Sequence, residues 1–171
     1  MHIIFFNTKG GVSKSTLCEF SSMELQRLGY KVHVDNIDQQ EHVTLIENEE
    51  PDFFLYDTAG AFTSANVDLL KSASAANSLI IIPMNTGVND LKELDFILAR
   101  LNEFGVKDKA RIVFTKTRQN SKALQDRKAT VKGRGLKPLN WVMPMLEDFS
   151  EQRDTARTRN EISAFLHEVI L

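Results

Sequence analysis

The chain has 171 residues, 42% of them hydrophobic and 26% charged, enough apolar side chain for one well-packed domain and too little length for two ordinary ones. One cysteine, Cys18, excludes an internal disulfide framework and a Cys-x-x-Cys metal site. The net charge of −2 conceals an asymmetry: residues 1–105 carry 7 Lys/Arg against 15 Asp/Glu, and residues 106–159 carry 14 against 6.

In chain order, the first predicted element is a strand over residues 2–6, an apolar run too short for a signal peptide or a membrane span. A helix is expected over 14–28, where Leu17, Phe20, Leu25 and Leu28 recur at helical spacing and Gly29 is a natural stop. Further strands are predicted over 31–34, 53–56, 78–82 and 111–114, with a weaker one over 141–143. Several are continuously apolar, as in strands covered on both faces. Leu91, Leu94, Leu98, Leu101 and Phe104 form a second helical stripe ended by Gly105. Ile162, Phe165, Leu166, Val169 and Ile170 form a third, with Asn160 as a possible N-cap. The segment 132–139, with two glycines and a proline, reads as a flexible connection. Strand and helix alternating along one chain predict an α/β fold with a doubly wound, mostly parallel sheet flanked by helices, in a single domain spanning 1–171. Ligands of such sheets bind beyond the carboxyl ends of the strands.

After the first strand comes Asn7-Thr8-Lys9-Gly10-Gly11-Val12-Ser13-Lys14-Ser15-Thr16, then the first helix. A glycine-rich turn feeding a helix N-terminus directs several N–H groups and the positive end of the helix dipole at one point, which suits a phosphate. Lys14 would add charge at the β- and γ-phosphates, and the Ser15 hydroxyl would ligate magnesium. The general phosphate-loop pattern G-x-x-x-x-G-K-[ST] is missed at both glycines, where Thr8 and Ser13 stand. If position 13 requires a left-handed backbone, serine there costs about 1–2 kcal/mol relative to glycine. Phe53-Phe54-Leu55-Tyr56-Asp57-Thr58-Ala59-Gly60 is a Walker B pattern, in which Asp57 would hold magnesium through water and Gly60 would let a backbone N–H approach the γ-phosphate.

Residues Lys9 to Thr16 resemble the deviant Walker A motif of the ParA/MinD family of P-loop ATPases, departing from it at Ser13. The resemblance implies that Lys9 reaches across a dimer interface to the partner's nucleotide and that Gly10 to Thr16 bind ATP with magnesium. Val34-Asp35-Asn36-Ile37-Asp38-Gln39-Gln40 is similar to the family's second motif, with Asn36 replacing its first aspartate. Asp38 thereby becomes the catalytic candidate that orients the attacking water, beside Lys9 and Lys14. Residues 114–118 fall where relatives contact the base. Arg118 occupies the position of the aspartate with which related GTPases accept from guanine, and a cation cannot accept, so ATP is expected over GTP. The replacements at Ser13 and Asn36 make slow hydrolysis an expectation.

Between Lys116 and Lys137 there are eight Lys/Arg against Asp126 alone. Arg118, Lys122, Arg127, Lys128, Lys132 and Arg134 are candidates for salt-sensitive, sequence-independent contact with DNA phosphates, which the resemblance to partition ATPases also implies. A solvated basic face is the plainer alternative. No segment resembling a helix-turn-helix precedes the phosphate loop, so operator binding is not expected. Residues 160–171 hold two glutamates and no Lys or Arg, which does not suit a membrane-surface helix. Cys18, His33, His42 and His167 lack ligand spacing and are read as structural.

The expectation is therefore a cytoplasmic ATPase that forms an ATP-dependent homodimer, binds DNA nonspecifically and answers to a small partner protein that stimulates hydrolysis. Plasmid or chromosome partition is the commonest family task. The alternatives are a DNA-transfer accessory, a non-hydrolysing scaffold, and a small-molecule kinase or ATP-dependent ligase.

Overall fold

A computed structural model describes residues 1–37 and 43–171. The chain alternates strand and helix: β1 (His2–Phe5), α1 (Lys14–Arg27), β2 (Val32–Asn36), β3 (Phe53–Asp57), α2 (Ser64–Ala75), β4 (Ser78–Met84), α3 (Val88–Glu103), β5 (Ala110–Thr115), α4 (Lys122–Gly133), β6 (Lys137–Met143), the one-turn α5 (Glu147–Ser150) and α6 (Ala156–Val169). All strands pair in parallel, in the order β2-β3-β1-β4-β5-β6.

The alternation along β1 explains the layering. Ile3 and Phe5 join Leu17, Phe20 and Leu25 of α1 and Ile162, Phe165 and Leu166 of α6 in one core. Ile4 and Phe6 join Leu70 of α2, Leu94, Ile97 and Leu101 of α3, and Leu124 and Val131 of α4 in the other. Both faces are covered, which is why the strands read as continuous apolar runs. The chain builds outward from β1 in both directions, β3 lying on one side and β4 on the other. The carboxyl end of β1 is thus the switch point at which such sheets open a crevice.

Two expectations are corrected. The last helix starts before Asn160: Thr155 is its N-cap, in a reciprocal capping box with Thr158. The segment 132–139 is not a loose connection. Helix α4 runs through Gly133, Gly135 takes a left-handed φ of 73°, and β6 begins at Lys137.

Both rims of the sheet are occupied. On β2, the Val34 N–H donates to the Ile46 carbonyl at 2.8 Å, and Asn48 Nδ2 donates to the Val32 carbonyl at 2.6 Å. On β6, the N–H groups of Asn140 and Trp141 donate to the two carboxylate oxygens of Glu168 at 2.6 and 2.7 Å. Among the described residues no helix is long and apolar enough to cross a membrane.

Candidate nucleotide site

The loop between β1 and α1 is braced from three strands. Asn7 is buried, its Nδ2 donating to the Pro83 carbonyl at 2.7 Å while its Oδ1 accepts the Lys9 N–H at 2.8 Å. Thr58, following β3, is buried and donates from Oγ1 to the Phe5 carbonyl at 2.8 Å, tying the Walker B strand to β1. Thr115, ending β5, places its Oγ1 3.2 Å from the Val12 carbonyl. A loop held this way keeps its shape before any ligand arrives, which lowers the ordering cost of binding.

Above the loop lies an open groove of about 860 Å³. Gly10, Gly11, Ser13, Lys14, Ser15 and Thr16 line one side, and Gly60 closes over them. Val12 is fully buried behind the loop. The approach of Gly60 favours glycine: a Cβ there would sit 3.3 Å from both Cα and N of Gly10, so that the loop backbone would have to give by a few tenths of an ångström. Lys14 is only 7% exposed, and its Nζ donates to the Lys9 carbonyl at 3.2 Å. Asp57 is fully buried at the carboxyl end of β3, in register with Asn36 of β2. Cys18 lies beneath: burial, and then the negative charge of Asp57, push its thiol well above the ordinary thiol range. A buried, protonated thiol is inert, in keeping with a structural role.

Lys9 points elsewhere. Its ammonium is 2.9 Å from Oδ2 of Asp90, a nearly buried carboxylate in the first turn of α3, and the neighbouring Thr8 hydroxyl donates to Glu93 one turn on. The two lysines of the motif therefore lie on different sides of the loop, Lys14 in the groove and Lys9 on α3. Asp38, with Gln39 and Gln40, lies outside the described residues.

Ser13 has φ 71° and ψ 29°, a left-handed residue immediately before α1. This is the backbone that disfavours an L side chain. Ser13→Gly is expected to raise the stability of the ligand-free chain by about 1 kcal/mol, seen as a thermal midpoint about 2–4 °C higher. An unchanged or lower midpoint would show that the serine relieves its own strain.

The far wall of the groove was not legible in the sequence. Met143, which ends β6, and Pro144, Met145, Leu146 and Phe149 after it bring apolar side chains to the groove that the phosphate loop also lines. Of residues 114–118 only Lys116 lines the groove. The proline directly after the last strand was the one available signal. A polar cradle facing an apolar wall suits a ligand with charged phosphates and a flat base.

Magnesium is tested by the donor set. Among the described residues no group of three His, Cys, Asp or Glu side chains could hold a metal by itself. One hydroxyl (Ser15) and one buried carboxylate (Asp57) fit a magnesium ion that arrives with phosphates and keeps most of its water.

The basic sector divides. Arg134 pairs with Asp95 of α3 at 2.6 Å, Arg127 donates to the Thr86 carbonyl at 3.0 Å, and Lys128 donates to the Asn140 carbonyl at 2.9 Å, burial holding its pKa below the usual lysine range. Arg118, Lys122 and Lys132 stand exposed. A polar groove of about 440 Å³ runs between the loop before α4, the helix and Asn140.

Comparison with known proteins gives the same picture. Residues 3–158 match the family model described as the CobQ/CobB/MinD/ParA nucleotide binding domain. No curated protein sequence is a detectable relative. Among solved structures, the MinD cell division protein of Aquifex aeolicus superposes with a TM-score of 0.66 at 15% identity, over 99% of this chain and 98% of that one. A Borrelia burgdorferi B31 protein assigned to plasmid partition and bound to AMPPNP superposes at 0.71 and 14% identity, over 98% and 99%. Cobyrinic acid a,c-diamide synthase from Mycobacterium smegmatis, with a bound ATP analogue and magnesium, superposes at 0.70 and 12% identity, over 97% and 94%. At these identities the likeness is one of fold.

Proposed function

Because the chain belongs to the CobQ/CobB/MinD/ParA nucleotide-binding domain family, we propose that it is an ATP-dependent dimer switch that binds DNA without sequence preference and serves in partition or positioning of DNA cargo. The observation that carries this reading is the separation of the two loop lysines. Lys14 is buried in the groove, where only the chain's own nucleotide can use it. Lys9 is 37% exposed and held by Asp90, so it can exchange that carboxylate for the phosphates of a second copy's nucleotide.

Gly10 to Thr16 cradle the phosphates with their amides, Lys14 supplies the cation, and the Gly60 N–H reports the γ-phosphate. The base stands against the apolar wall of residues 143–149. Ser15 and, through water, Asp57 would hold magnesium, which would supply positive charge against the phosphates. Asp38 orients the attacking water, and a small partner protein accelerates hydrolysis and so releases the dimer. Arg118, Lys122 and Lys132 make the exposed part of the DNA contact, which a rise in salt weakens. The Borrelia burgdorferi neighbour, assigned to plasmid partition, shows that this fold is compatible with the task. The cobyrinic acid synthase neighbour keeps metabolite activation in the same fold.

Gel filtration with ADP or AMPPNP, with and without duplex DNA, tests the switch. The expected result is a monomer with ADP and a dimer with AMPPNP that co-elutes with DNA. In Lys9→Ala the dimer is expected to vanish while nucleotide affinity stays within about twofold of wild type, because Lys9 makes no groove contact in its own chain. A monomer under every condition overturns the proposal.

A further inference from the structure

Lys116, directly after β5, has a left-handed φ of 52°. A non-glycine residue keeps that conformation only where its surroundings dictate it, and such residues gather at functional sites. Here the turn carries the side chain back over the phosphate loop, and Lys116 Nζ donates to the Gly11 carbonyl at 3.0 Å. The preceding residue does the same one step on: Thr115, fully buried, brings its Oγ1 to 3.2 Å from the Val12 carbonyl. Two successive residues, the last of β5 and the one after it, thus lie against two successive carbonyls of the loop, the Thr115 hydroxyl being also 3.0 Å from Asn85 Oδ1. In a planar trans peptide the N–H lies opposite the C=O. With the Gly11 carbonyl held by Lys116, the Val12 N–H of the same peptide points away from the Lys116 ammonium. Gly11, with φ 72°, supplies the backbone that this orientation needs.

The geometry points to Lys116 as a positioning residue for nucleotide binding. Its ammonium fixes the Gly11 carbonyl and so presets the loop amides. The inference rests on the reading of the groove as an ADP and ATP site, and it goes further in assigning the second lysine of the groove, after Lys14, to the loop rather than to the γ-phosphate. Since Lys116 acts through the part of the cradle that both nucleotides share, its loss weakens ADP and ATP alike.

The test compares the wild-type chain with Lys116→Gly, which removes the ammonium and relieves the left-handed backbone, and with Lys116→Arg, which keeps a donor. Fluorescently labelled ADP and AMPPNP are titrated with magnesium present, and thermal unfolding is recorded without nucleotide. The expected result for Lys116→Gly is a midpoint no lower than wild type with affinity for both nucleotides reduced about tenfold, by the same factor. Lys116→Arg is expected to restore most of the loss. Wild-type affinity in Lys116→Gly overturns the role of Lys116 alone. A midpoint falling together with affinity, a loss confined to AMPPNP, or an arginine variant as weak as the glycine variant overturns it too. A wild-type chain with no affinity for either nucleotide overturns the underlying site as well.

Discussion

Lys14→Ala is expected to lower affinity for magnesium ADP by about a hundredfold or more, the equivalent of about 3 kcal/mol. The size follows from where the ammonium sits. Lys14 opens α1, is 7% exposed, and lies so close to Gly60 that a Cβ on that glycine would be 3.7 Å from its Nζ. A cation screened from water on most sides binds a phosphate far more strongly than one on an open surface, and truncating one partner of such a contact costs about 2–5 kcal/mol. Alanine keeps the helix, being its best former, so the fold is expected to persist. Calorimetric titration, with circular dichroism as the control for folding, measures the effect. Affinity within twofold of wild type would remove the phosphate loop from the site.

Phe5→Ala is expected to destabilise the chain by about 3–5 kcal/mol, a large part of the 5–15 kcal/mol typical of a folded domain. Phe5 is fully buried on the central strand, in the core formed with α1 and α6, and its carbonyl accepts the Thr58 hydroxyl. Truncation leaves a cavity between a sheet and helices that cannot both close on it, since β1 is paired on both sides by β3 and β4. Urea unfolding should show a lower midpoint with an unchanged slope. A loss below about 1 kcal/mol would mean that the layer collapses onto the gap.

Five of the six strands could be read from the sequence, the predicted runs at 31–34 and 111–114 falling within two residues of β2 and β5. The runs at 2–6, 53–56 and 78–82 match β1, β3 and β4 to within two residues. Helix α4 was invisible for a physical reason: only Leu124 and Val131 of its twelve residues are buried, too few to make a stripe. Helix α2 was missed likewise, with Asn66, Leu70 and Ala73 its only buried positions. Strand β6 starts four residues ahead of its predicted beginning because in its first half, Lys137 to Asn140, only Leu139 is buried. In the site, the phosphate loop and Asp57 were legible because their chemistry is written in consecutive residues. The apolar wall at 143–149 and the bracing by Thr115 and Lys116 join residues about a hundred positions apart, a proximity that only the sheet order creates.

The Glu168 clasp on β6 and the return of Ile46 onto β2 have a consequence for how copies of this chain meet. A strand from another molecule finds the amides of Asn140 and Trp141 already taken at one margin and Val34 taken at the other. Growth of the sheet by edge recruitment, the route into fibrils, is obstructed at both ends. Glu168→Ala would bare two adjacent N–H groups and is the single change most apt to turn a crowded solution of this protein turbid.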